Sequence, residues 1–191
     1  KRLKPLLEQD APPKDRSEAE VIGYKMILSR IHTDYETFKI VPHTILKIHG
    51  DMLAHTDLPA GIWKRRDNTI EERLPDGRWI TRYVPVPARE TPFYMNELCD
   101  RFCRLWEEGR IDRLLLIHAF VLDFLCIHPF TDGNGRVSRL LTVLLLHQGG
   151  YDVGRYISLE RLIEESKEHY YAVLHRVSER WQEGGHSILP W

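Results

Sequence analysis

Residues His128–Arg139 read HPFTDGNGRVSR, and they stand between two strongly apolar segments. A turn in that setting is ordinarily bland, but this one gathers a histidine, an aspartate, an asparagine, two glycines and two arginines. Gly133 and Gly135 bracket Asn134. Glycine turns with positive φ and lets a ligand approach the backbone closely. A helix opening near Gly135 or Arg136 would aim its unpaired N–H groups and the positive end of its dipole back into the loop. That arrangement is an anion nest suited to phosphate. A bare Gly-x-Gly before a helix reads more readily as a plain turn, so the side chains must decide.

Arg136 and Arg139 share one face of the first helical turn. Two cations there oppose the dipole at a cost of about half a kcal/mol each, unless an anion or a carboxylate answers them. A phosphate chain would satisfy both, because guanidinium groups bind phosphate oxygens in pairs. Asp132 offers a hard oxygen of the kind that holds Mg²⁺ on phosphates, or it is an ordinary residue before a turn glycine. His128, locked by Pro129, is matched in pKa to taking a proton from a hydroxyl near neutral pH, or it caps the preceding helix. Taken together, these groups are the parts of a phosphoryl or nucleotidyl transferase.

The elements that must carry this loop are legible on either side. "IDRLLLIHAFVLDFLCIH" precedes it and "VSRLLTVLLLHQGG" follows. Both are apolar nearly all round, which makes them central helices. "SEAEVIGYKMILSRIHTDYE" predicts an earlier helix with Ser17 as N-cap and Glu20 three residues on. "HTILKIHGDMLAH" predicts another after Pro42, and "PFYMNELCDRFCRLWEEG" one that stops at Gly109. "SLERLIEESKEHYYAVLHRVSERWQEGG" predicts a last helical stretch from a serine start to Gly184-Gly185. Between them, "GIWKRRDNTIEERLPDGRWITRYVPVPA" alternates around Pro-Asp-Gly. It predicts one β-hairpin over roughly Ile70–Tyr83. The fold class is therefore all-α, a helical bundle carrying one hairpin.

The 191 residues suffice for one domain with a real core. Residues 1–16 read as a short helix and linker, 17–183 as the domain and 184–191 as a tail. A start at Lys1 and an apolar, uncapped end read as cuts from a longer chain. Lys and Arg number 27 against 28 Asp and Glu, which argues against indiscriminate polyanion binding. No apolar run reaches the roughly 18–20 residues that cross a bilayer, and no signal peptide opens the chain. The expectation is a cytoplasmic protein with no membrane partner. Cys99, Cys103 and Cys126 read as small core residues rather than metal ligands.

The motif His-Pro-Phe-x-Asp-Gly-Asn-Gly-Arg-x-x-Arg matches His128–Arg139 at every defined position, and it resembles the signature of Fic domains. "EVIGYKMIL", "GIWK" and "EHYYAVL" resemble further steps of that family, extending the likeness over about residues 17–180. The resemblance implies a Fic-fold bundle whose hairpin is a flap near the active site. It also implies transfer of AMP from ATP to a Ser, Thr or Tyr hydroxyl of a protein.

In that scheme His128 is the general base and Asp132 holds Mg²⁺. Asn134, with the backbone of Gly133, Gly135 and Arg136, forms the hole for the α-phosphate. Arg139 clamps the γ-phosphate and Arg136 helps hold the chain. Phe130 anchors the loop. Tyr170 lies toward the nucleotide while Tyr171 packs. The flap, with Ile70, Glu71, Trp79, Thr81 and Tyr83, docks the target as an added strand. Lys64 stands where the family usually has arginine, in a basic stretch read as exposed.

Many Fic proteins restrain themselves with a Ser/Thr-x-x-x-Glu helix. Here no Ser or Thr is followed four residues later by Glu. The expected partners are thus a target protein and an inhibitory segment supplied upstream or by an antitoxin-like chain. Self-modification and a homodimer remain open. Rival readings are removal of AMP or transfer of another nucleotide at the same site, and a nucleotide-binding sensor without turnover. A metal-dependent phosphohydrolase is disfavoured by the lack of a His-Asp dipeptide.

Overall fold

The computed structural model describes residues 13–74, 76–152 and 157–191. The segment read as an N-terminal helix and linker lies mostly outside the described residues, as does Pro75 of the hairpin turn. The chain divides into two compact units, Lys1–Ile62 and Trp63–Trp191. No described helix is long and apolar enough to cross a membrane.

The first unit pairs α1 (Arg16–Asp34) with α2 (Pro42–Met52). The N-cap of α1 is Asp15 rather than Ser17: its carboxylate accepts the Glu18 N–H at 2.9 Å. An ionised acceptor two residues earlier satisfies the same helix end and also answers its dipole. Glu20 instead pairs with Arg16 at 2.8 Å. Ile27, Ile31, Ile45, Ile48 and Met52 are buried between the helices. A Cβ on Gly23 would stand 2.0 Å from the Met52 carbonyl oxygen, so only glycine permits that approach.

The second unit holds the hairpin β1 (Ile70–Arg73) and β2 (Trp79–Tyr83). It also holds α3 (Thr91–Glu108), α4 (Arg113–Ile127), α5 (Asn134–Gln148), α6 (Leu159–Glu165) and α7 (Lys167–Ser178). The strands are antiparallel, Glu71 facing Thr81 and Arg73 facing Trp79, with an irregular step beside Ile70. Gly77 in the turn has positive φ, 86°, and Leu74 donates across it to the Arg78 carbonyl at 2.8 Å. Gly109, at φ 63°, ends α3, and Asp112 caps α4 through the N–H groups of Leu114 and Leu115. Helix α4 is the hub. It packs on α3, α5 and α7, and nine of its residues are buried, as expected of a helix apolar all round.

The last helical stretch departs from expectation. Ser166 interrupts it, with φ −111° and ψ 20°, and its hydroxyl donates to the Leu162 carbonyl at 2.7 Å. A serine that bonds back to its own helix offers the backbone an alternative to continuing. Helix α7 then stops at Ser178, short of Gly184-Gly185, and a single 3₁₀ turn follows at Trp181–Glu183. The Trp181 indole donates to Asp123 on α4 at 2.7 Å, which draws the chain back across the bundle.

Candidate active site

The loop between α4 and α5 is fixed from its apolar side. Phe130 is fully buried, its ring 5.3 Å from that of Trp63 and 6.3 Å from that of Phe124. Burying a phenylalanine stabilises by roughly 2–3 kcal/mol, so the expected anchoring role holds. Asn134 braces the same residue. Its side-chain oxygen accepts the Phe130 N–H at 2.9 Å and its amide donates to the Phe130 carbonyl at 2.8 Å. The Asn134 amide is therefore engaged inside the loop rather than directed at an anion.

What faces outward is backbone. Gly133, at φ 85°, is the N-cap of α5, and no side chain caps that end. The helix begins at Asn134, close to the expected start, so its unpaired N–H groups fall within the loop motif. The first helical bond inside it is Val137 N–H to the Gly133 carbonyl, 2.9 Å.

His128 occupies the left-handed region, φ 51° and ψ 60°, and its N–H closes α4 on the Phe124 carbonyl. For a residue with a Cβ this conformation costs about 1–2 kcal/mol, and buried neighbours must hold it. The ring Nδ1 lies 3.3 Å from the Leu125 carbonyl oxygen. A carbonyl only accepts, so Nδ1 carries the proton and Nε2 keeps its lone pair. Burial lowers the imidazole pKa to about 4; the Lys64 charge adds to this, while the Leu125 bond and Asp132 oppose it. The ring is thus neutral at pH 7, with Nε2 able to take a proton. Cap and base are compatible roles here, because capping uses the backbone and leaves the ring.

The two arginines differ. Arg136 pairs with Asp132 at 3.2 Å, and the same carboxylate oxygen accepts the Gly133 N–H at 2.6 Å. Arg139 Nε is buried with no hydrogen-bond partner. Its Nη1 lies 3.6 Å from where a Cβ on Gly135 would stand, which places the guanidinium beside the start of the helix. An unanswered buried donor costs about 1–3 kcal/mol. Tyr170 of α7 feels the Arg139 charge, although burial dominates and pushes its phenol up to about 12. Tyr170 is therefore the inward residue of the pair. Tyr171 is 55% exposed, contrary to the expectation that it packs, because the break at Ser166 resets the phase of α7. Trp191 covers Tyr170, ring centres 5.3 Å apart.

Asp132 is partly exposed, and no cluster of three or more metal-type side chains occurs among the described residues. A single carboxylate beside an anion nest fits a Mg²⁺ held mainly by phosphate oxygens, the usual manner of that ion. The three cysteines are free, Cys99 and Cys126 buried.

The flap residues divide. Glu71, Trp79 and Thr81 are exposed and Ile70 half-buried. Tyr83 packs against Leu122, Cys126 and Val177, and burial raises its phenol well above its usual value. Tyr83 therefore anchors the hairpin to α4, two residues before His128, rather than presenting itself to a target. Lys64 corrects the sequence reading outright. It is 4% exposed, its N–H donates to the Pro129 carbonyl at 2.8 Å, and its ammonium donates to the Ile127 carbonyl at 3.2 Å and to Asn68 at 2.8 Å. Burial lowers its pKa to about 8. The only hint in the sequence was its place beside Trp63.

A family model described as Fic/DOC matches residues 39–146. The protein adenylyltransferase fic-1 of Caenorhabditis briggsae is 27% identical over 168 residues, 84% of this chain and 29% of its own length. The protein adenylyltransferase Fic of Drosophila melanogaster is 28% identical over 137 residues, 69% of this chain and 25% of its own. The chain thus spans less than a third of these curated relatives.

A Fic domain containing signaling protein from Bacteroides thetaiotaomicron superposes with TM-score 0.77 at 23% identity, covering 99% of this chain and 68% of that one. Caenorhabditis elegans Fic-1 (residues 134–508) gives 0.65 at 25% identity, covering 92% and 49%. The expected helical fold with one hairpin is borne out.

Proposed function

Because the chain belongs to the Fic/DOC family, we propose that it is a protein adenylyltransferase, moving AMP from ATP to a Ser, Thr or Tyr hydroxyl of a target protein. His128 Nε2 takes the hydroxyl proton, the oxygen attacks the α-phosphorus, and the bond to the β-phosphate oxygen breaks to release pyrophosphate. The N–H groups at the start of α5, around Gly133, Asn134, Gly135 and Arg136, face the charge that develops on the α-phosphate oxygens. Fixed dipoles aimed at developing charge are the most effective catalytic device of this kind. Arg139 holds the distal phosphate, Arg136 supports the chain, and Tyr170 borders the nucleotide. Asp132 would hold Mg²⁺, which when bound would supply positive charge to the phosphates. The exposed edge and face of the hairpin, with Glu71, Trp79 and Thr81, receive the target backbone.

The observation that carries this reading is the buried, unpartnered Nε of Arg139 beside an uncapped, glycine-led helix end. A helix start with two arginines and no answering carboxylate at the second is built for an anion. The relatives named protein adenylyltransferases supply the reaction class. Control of the activity is assigned to a segment upstream or to another chain, which would answer Arg139 and so exclude the distal phosphate.

The test is incubation with Mg²⁺ and ATP labelled at the α- or the γ-phosphate, with and without cell lysate, beside His128→Ala. Protein label from α-labelled ATP alone, lost in His128→Ala, is the expected result. Label from γ-labelled ATP would make the protein a kinase and overturn the proposal, as would α-label retained in the variant.

A further inference from the structure

The strap that precedes the hairpin touches the loop on both sides of His128. Ile127 and Pro129 flank the histidine, and both of their carbonyls are held by one residue, Lys64. Its ammonium takes the first at 3.2 Å and its main-chain N–H takes the second at 2.8 Å. The next carbonyl, that of Phe130, accepts from the Asn68 amide at 3.4 Å, and the Asn68 oxygen accepts from the Lys64 ammonium at 2.8 Å. Three peptide carbonyls around a left-handed histidine, one before it and two after it, are therefore tied to Lys64 and Asn68. The His128 N–H bond to Phe124 closes the helix locally at φ 51°, and the strap holds the carbonyls on either side of that residue.

The choice of a cation is also physical. Ile127 is the last residue of α4, where the helix dipole is negative and a positive charge is favoured. A buried ammonium is costly unless its protons are satisfied; here two are, by a carbonyl and an amide oxygen.

We propose that Lys64, braced by Asn68, is the positioning residue of the active site: it clamps the carbonyls on either side of His128 and so sets where Nε2 points. The proposal rests on the reading of His128 as the base. The charge has a second effect in the same direction. Lys64 and Asp132 are the charged groups that act on the imidazole, the first disfavouring and the second favouring its protonation. Burial does most to keep the base unprotonated, and the Lys64 charge adds to it.

The test uses Lys64→Met, which keeps the stem and removes the charge and donors, beside Lys64→Arg and Asn68→Ala, each checked for folding by circular dichroism. Initial rates of α-phosphate label transfer are measured against ATP concentration, and the His128 ring is titrated by NMR without ATP. In Lys64→Met the maximal rate should fall about tenfold or more while the apparent KM for ATP changes less than about twofold, since misaiming a base costs rate rather than nucleotide binding. The His128 midpoint should move upward. Lys64→Arg should keep the low midpoint and most of the rate. Asn68→Ala should lower the rate about threefold, and it carries the test if Lys64→Met does not fold.

A Lys64→Met protein with an unchanged rate, or with an unmoved His128 midpoint, would overturn the proposal. If the wild-type chain transfers no AMP, the adenylyltransferase reading fails by itself. Amide hydrogen exchange around His128 in Lys64→Met and Asn68→Ala then still decides the clamp, faster exchange at His128 and Thr131 supporting it and unchanged exchange refuting it.

Discussion

The motif loop and the hairpin are both short polar excursions between packed elements, yet they are held in opposite ways. In the loop, Phe130 is buried, Asn134 spends its whole amide on it, and Lys64 closes the carbonyls behind His128. Arg139 Nε, buried and without a partner, and the uncapped start of α5 are left open. In the hairpin, Glu72–Arg82 and Asp76–Arg78 are solvent-exposed ion pairs, which add little to stability, and Tyr83 packs against the core. One region is fixed and keeps an unmet need; the other is loosely dressed and anchored at one end. Chemistry demands the first arrangement, and accommodating a partner of variable sequence tolerates the second.

That contrast can be broken by substitution. Phe130→Ala should destabilise by about 3–5 kcal/mol, the usual cost of emptying a core phenylalanine site, read as a lowered Tm and a shifted denaturant midpoint. A loss below about 1 kcal/mol would mean that the loop is not core-anchored. Asn134→Ala orphans the Phe130 N–H and should cost about 2 kcal/mol. It should also abolish label transfer, which adding ATP would not restore. In the hairpin, Trp79→Ala should leave stability within about half a kcal/mol, as for other exposed positions, yet reduce labelling of lysate proteins relative to ATP binding. Glu72→Gln should do neither. A hairpin substitution as damaging to stability as Asn134→Ala would erase the distinction.

The pH dependence sharpens it further. Because burial lowers the His128 pKa to about 4, the free protein's imidazole stays unprotonated, and competent as a base, down to roughly that pH. NMR titration of the ring should show a midpoint well below the ordinary 6.5. An ordinary midpoint would place His128 in open solvent.

Much of this was legible in the sequence, where the cause was local. The twelve-residue motif, the glycine stop after α3, the apolar helices flanking the loop and the alternating hairpin each declare themselves within a few residues. What escaped depends on partners distant in the chain. Lys64 sits in a Lys-Arg-Arg run and reads as solvated, but its acceptor at Ile127 is 63 residues away. The Asn134 amide could not be known to point inward until Phe130 was seen to need both of its bonds. Tyr171 is exposed rather than packed because a single serine, Ser166, restarts the helix and resets which side faces in, while Tyr170 keeps its inward place. The N-cap moved from Ser17 to Asp15 because two neighbouring residues compete for one helix end.

The central claim is that Arg139 and the open end of α5 await a phosphate chain. Calorimetric titration of ATP and of AMP, each with Mg²⁺, onto the wild-type chain and Arg139→Met tests it most directly. Loss of the clamp should weaken ATP by about tenfold or more, the worth of a charge-assisted guanidinium–phosphate contact, and leave AMP nearly unchanged. Equal weakening of the two nucleotides, or of neither, would contradict the assignment of Arg139 to the distal phosphate.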